Sequence, residues 1–162
     1  MQSRNCWTLL GPLLLLLSAA TSVSLQAQGN SVLSVAPPEK LNVKRGASAE
    51  VRLKAQLQPG FHVNSNAPAD EFLIPLKLTW ANQPLQSEQV TYPKPQFEKY
   101  AFSPKPVSVF SGNFEIATRF KAPPNANPGL GVMTGKLRFQ ACNSKECLPP
   151  RTIDVRFSVE LQ

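Results

Sequence analysis

Two cysteines, Cys142 and Cys147, carry the most reactive chemistry in this 162-residue sequence, within the segment Cys142-Asn143-Ser144-Lys145-Glu146-Cys147. A third, Cys6, precedes an apolar run over residues 9–17 that is broken only by Gly11 and Pro12 and followed by Ser18, Ala19 and Ala20. With Arg4 in front, this order of positive charge, apolar stretch and small residues predicts a cleavable export signal over residues 1–27. Cleavage is expected after Ala20 or after Ala27, and Cys6 leaves with the peptide. The run is too short to cross about 30 Å of hydrocarbon, so no permanent membrane span is expected. Two cysteines left this close together in an oxidising compartment should bond to each other.

Such a bond is either a staple or a tool. Closing a loop of about six residues gains only about 2 kcal/mol in the chain-entropy model, and strands that already pair gain less. The remaining domain, about 135 to 140 residues, is large enough to bury a core without a staple. At the tip of an expected hairpin, the pair adds little stability but exposes sulfur to visiting molecules. Lys145 inside the loop, with Arg138 and Arg151 near its base, favours the thiolate that attacks in exchange, while Glu146 opposes it. The spacing is not the Cys-x-x-Cys of a helix N-terminus, so the site suits a relay better than a strong oxidant.

Other chemistries find too few residues. Zinc would have Cys142, Cys147 and the single histidine, His62, three ligands at most and without paired spacing. Met133 is the one methionine after the signal, which argues against a thioether copper site. A hydrolase needs a histidine beside its nucleophile and an acid to orient it; His62 at a strand start reads more simply as structural. No cofactor or metal is expected. Formal charge is +7, from 17 basic and 10 acidic residues, but the cations are scattered and export removes the usual nucleic-acid partners.

The elements that must hold the cysteines read as strands. Sixteen prolines would interrupt any long helix. Residues 50–57, 76–80, 114–120, 135–140 and 153–159 alternate polar and apolar side chains, as half-buried strands do. Weaker strands are expected at 31–35, 41–44, 61–64, 89–92 and 107–110. Turn signals between them, such as Gln58-Pro59-Gly60 and Ser111-Gly112-Asn113, predict one all-β domain over residues 28–162, an immunoglobulin-like antiparallel β-sandwich. Two long loops stand out, 64–70 and 93–106. The second holds Phe97, Tyr100 and Phe102 between prolines and is expected to pack onto something rather than to be disordered.

Three stretches resemble a known family. Gly60-Phe61-His62-Val63-Asn64-Ser65-Asn66-Ala67-Pro68, Phe72-Leu73-Ile74-Pro75-Leu76, and Phe139-Gln140-Ala141-Cys142-Asn143-Ser144-Lys145-Glu146-Cys147-Leu148-Pro149-Pro150 are similar to the N-terminal periplasmic domain of the thiol:disulfide interchange protein DsbD. Tyr92-Pro93 and Val107-Ser108-Val109-Phe110-Ser111-Gly112 fall in register with it. The resemblance implies a redox-active pair, Cys142 and Cys147, with Cys147 the sulfur that bonds to partners. It further implies a cap from the 97–103 loop, with Tyr100 or Phe102 as the covering ring, and a wall containing His62 and Asn64. Electrons would come from a thioredoxin-like domain or a membrane electron carrier. They would pass to oxidised periplasmic proteins, such as disulfide isomerases and cytochrome c maturation factors. Full-length members continue into a membrane domain and a C-terminal thioredoxin-like domain, whereas this sequence stops at Gln162. Either those parts are encoded separately, or the stand-alone module has another partner. Two competing readings are a secreted binding module whose disulfide is a staple, and a carrier that uses the aromatic loop as its contact.

Overall fold

The computed structural model describes residues 31–101 and 103–162. The expected signal peptide, with Cys6, and the expected cap residue Phe102 lie outside them. Twelve strands follow one another: β1 (Leu33–Ala36), β2 (Leu41–Val43), β3 (Ser48–Leu57), β4 (His62–Asn64), β5 (Lys77–Trp80), β6 (Gln86–Thr91), β7 (Gln96–Glu98), β8 (Val107–Ser111), β9 (Asn113–Lys121), β10 (Gly129–Phe139), β11 (Ala141–Cys142) and β12 (Arg151–Leu161). The described residues contain no helix. The strands form three sheets, in the orders β1-β3-β9-β6, β2-β12-β10-β5 and β11-β4-β8-β7.

Alternation decides which face goes inward. In β3, Val51, Leu53, Ala55 and Leu57 are buried while Glu50, Arg52, Lys54 and Gln56 face water, and β9, β10 and β12 follow suit. One cluster packs Leu53, Ile116, Leu137, Val155, Val63 and Phe110 together; a second packs Val51, Phe120, Met133, Phe157 and Val159. Trp80 lies against both. Its ring meets Phe120 and Phe157 edge-on, and its indole N–H donates to Thr118 Oγ1 at 3.0 Å. The result is a sandwich of immunoglobulin-like kind, as expected, with one exception to antiparallel pairing: β2 runs parallel to β12, Val159 opposite Leu41.

The third sheet grows out of the other two. Left-handed Gly112 (φ 63°) lets the chain turn between β8 and β9, and Gly60 (φ 82°) sits in the tight turn from β3 into β4, where Phe61 N–H reaches Gln58 O. β11 leaves the end of β10 after one residue, Gln140. All three residues of β4 are buried, as are the first four of β8. Strands buried on both faces need a cover on each side. Val63, Ala141 and Phe110 belong to the core cluster, so His62, Cys142 and Ser111, in register with one another, occupy the opposite face.

The 93–106 segment is not free of secondary structure, as the sequence suggests. Gln96–Glu98 forms β7 and pairs with the edge of β8. Ser111 Oγ donates to Gln96 Oε1 at 2.7 Å and fastens the two.

Candidate functional site

The β10–β12 ladder runs to Phe139 opposite Arg151, which makes the intervening residues the tip of a long hairpin. Past Phe139 the chain changes partner, and Ala141 and Cys142 pair with Val63 and His62 of β4. A miniature hairpin then forms within the tip. Leu148 N–H donates to Ala141 O at 2.8 Å, Asn143 N–H to Glu146 O at 2.9 Å, and Cys142 bridges Cys147 between them. The side chain of Asn143 builds its turn, accepting from the N–H groups of Lys145 and Glu146 at 2.8 and 2.9 Å. Gln140 Nε2 holds the other side through Leu148 O at 3.1 Å. Cα atoms only 3.9 Å apart leave the two sulfurs joined in a disulfide.

The two sulfur residues are not equivalent. Cys147 is exposed, whereas Cys142 has 0 % of its surface accessible. At the hairpin tip the exposed member of the pair is therefore Cys147, and not Cys142. The place of Cys142 in a ladder covered on both faces buries it, while Cys147 lies beyond the turn. Lys145, Glu146, Arg138 and Arg151 are exposed around the tip, and among the described residues none of them forms a salt bridge.

His62 stands directly across from Cys142 and is only 4 % exposed. The ring of Tyr100 stacks on it, with centroids 4.2 Å apart and planes 19° from parallel. Burial lowers the pKa of His62 below the ordinary histidine value, and the negative charge of Glu98 opposes part of that shift. His62 Nε2 is buried with no hydrogen-bond partner. Tyr100 donates its hydroxyl to Glu98 Oε2 at 2.5 Å. Burial first, then that hydrogen bond and the charge of Glu98, raise the Tyr100 pKa well above the ordinary phenol value. Asn64 lies two residues along the same face of β4 and is 1 % exposed; its amide donates to Ile74 O at 3.0 Å and holds the segment after β4 in place.

Cys142, Cys147, His62 and Tyr100 thus gather at one end of the sandwich, with Asn64 one pleat away. Phe97 does not join them: it is 71 % exposed on the opposite face of β7 from Gln96 and Glu98. Four residues that sequence reasoning passed over, Gln96, Glu98, Ser111 and Asn143, hold the arrangement together. Only Asn143 left a local trace, an Asn at the start of a tight turn between cysteines. Among the described residues no three His, Cys, Asp or Glu side chains are placed to hold a metal.

Known proteins give this arrangement a family. No curated protein matches the chain. Among solved structures, the N-terminal periplasmic domain of ScsB from Proteus mirabilis is 15 % identical with a TM-score of 0.57, covering 82 % of this chain and 49 % of that one. The chain therefore spans about half the length of that relative, and the likeness is one of fold. The Neisseria meningitidis DsbD n-terminal domain in the reduced form is 17 % identical, TM-score 0.44, covering 72 % of this chain and 80 % of that one. The seventh ScaB type I cohesin from Pseudobacteroides cellulosolvens is 15 % identical, TM-score 0.44, covering 80 % and 92 %. Residues 30–158, with both cysteines and the whole β4–β11 ladder, match the family model of the thiol:disulfide interchange protein DsbD, N-terminal, and the chain belongs to that family.

Proposed function

We propose that the protein is a periplasmic exchange module that relays electrons from a thioredoxin-like donor to oxidised envelope proteins through Cys142 and Cys147. One observation carries the reading: a disulfide in a small hairpin loop, with one sulfur residue open to partners and the other sealed in the sheet. The donor's thiolate attacks Cys147 Sγ, the bond to Cys142 breaks, and Cys142 leaves as the thiolate. A second donor thiol then releases Cys147 and closes the donor's own disulfide. In the onward half, Cys147 attacks an acceptor disulfide and Cys142 displaces the reduced acceptor. Every step exchanges one sulfur–sulfur bond for another, so no cofactor is required.

The 97–103 loop acts as the cap. Tyr100, on its pedestal of His62 and tethered by Glu98, screens the pair from small oxidants until a partner displaces it. Phe102 shares that role, and Asn64 anchors the wall. Export by residues 1–27 places the module in the periplasm, and among the described residues no helix is long and apolar enough to cross a membrane.

The complete burial of Cys142 favours a second reading, a binding module with a structural disulfide. Two variants separate the readings. Exchange with a reduced thioredoxin-like donor is expected to stop in both Cys142→Ser and Cys147→Ser. Only Cys142→Ser, which keeps the exposed thiol, should accumulate a mixed disulfide with an oxidised donor. Donor oxidation at the wild-type rate in both variants would leave the structural reading standing.

A further inference from the structure

We infer that His62 is the proton acceptor for Cys142 when the pair closes, and the donor that returns the proton when it opens. The inference rests on the exchange reading above and adds a proton path to it.

Closure requires Cys142 Sγ to attack Cys147 Sγ while the acceptor's sulfur departs as a thiolate. The attacking sulfur must shed its proton. A free thiolate at a site with no solvent access is strongly disfavoured, because burial penalises the charged form. The proton therefore needs an acceptor within the site at the moment of attack. The polar groups around Cys142 are mostly committed elsewhere. Ser111 Oγ donates to Gln96, the Asn64 amide donates to Ile74 O, and Glu98 accepts from Tyr100. His62 Nε2 is buried and without a hydrogen-bond partner. Leaving such an atom unpaired costs about 1–3 kcal/mol, and a native fold that retains one calls for an explanation.

His62 is also the residue in register with Cys142. Directly opposite residues of an antiparallel pair have Cβ atoms about 5 Å apart on one face, so thiol and imidazole project side by side from the same face. The groups facing His62 among the described residues are Cys142 on β11, Ser111 on β8, and Glu98 and Tyr100 of the cap. Tyr100 stays neutral because its hydroxyl is held above its ordinary pKa, and Glu98 offsets only part of the burial that keeps the imidazole neutral and able to accept. In closure, the S–S bond forms, the Cys147–acceptor bond breaks and the acceptor leaves with the electron pair. The proton moves from Cys142 to Nε2, and passes to water while the partner holds the Tyr100 cap displaced. Opening runs the same path backwards.

The test reacts the reduced full domain with the chromogenic disulfide dithiobis-nitrobenzoate, which resolves two releases of dye. The first reports attack by Cys147 and the second closure by Cys142. In the wild type the second step should be flat with pH above about 6.5, where the imidazole is neutral. His62→Gln should slow the second step by about a hundredfold relative to the first, and make it rise about tenfold per pH unit. His62→Phe retains a ring beneath Tyr100 but has no nitrogen, and should behave like the Gln variant. A wild-type second step that climbs tenfold per unit from about pH 6.5 to 8.5 overturns the inference without any variant. So does a second step unchanged in His62→Gln, or restored in His62→Phe. A wild-type protein that releases no dye at all would instead overturn the exchange reading itself.

Discussion

At Cys147 the chain has already left the ladder that buries Cys142, and that difference of five positions sets the chemistry. Cys142 and Cys147 were legible as a bonded pair because type and spacing alone suffice to mark them. Their inequality was not, since it depends on Cys142 changing partner from β12 to β4, a tertiary event. The same holds for Glu98 and Ser111, whose roles arise only when β7 and β8 pair. His62 carries a prediction at this scale. Because burial lowers its pKa, the unfolded chain binds more protons there than the folded one between the folded value and about 6.5. Its contribution to stability is therefore complete above about pH 6.5 and is lost as pH falls through the folded value. Urea unfolding at about pH 7.5 and about pH 5.5 should show wild type losing more stability on acidification than His62→Gln. An equal loss in both would contradict the buried, neutral imidazole.

Strands with clean alternation were legible almost to their ends, as β3, β9 and β12 illustrate. β10 was recognised only from Gly135 onward, because Leu130 and Val132 place apolar side chains on its outer face, 77 % and 54 % exposed, and spoil the alternation. β7 and β11 are too short to carry a pattern and exist because β8 and β4 offer unpaired edges. The parallel pairing of β2 with β12 is likewise a property of the assembled edge. The loop 93–106 did reveal itself through its aromatics, although Phe97 turned outward and Tyr100 inward. For this element we expect Tyr100→Ala to make the reduced cysteines oxidise severalfold faster under dilute peroxide, followed by loss of free thiol, with the melting temperature little changed. An unaltered oxidation rate would remove the 97–103 loop from its role as cap.

Across the whole molecule, the end that carries the disulfide is held by a core whose two clusters include neither cysteine. Two clusters run through the sandwich, and Trp80 joins them, packed between Phe120 and Phe157 and bonded to the buried Thr118. Trp80→Ala should cost about 3–5 kcal/mol in urea denaturation, through lost packing and an unpaired hydroxyl, and unfolding should remain a single transition. A loss below about 1 kcal/mol would mean that the clusters stabilise the fold independently of the residue between them. On the proposed function, such a framework would stay folded while the hairpin tip opens and closes, since the small loop contributes about 2 kcal/mol at most.

Equilibrium titration of the Cys142–Cys147 pair against glutathione buffers tests the central claim most directly. A bond built for exchange should be reduced at a potential above about −300 mV, with glutathione captured on Cys147 along the way. A pair that stays oxidised until well below about −300 mV, with no adduct at Cys147, would make the bond a structural one and contradict the account.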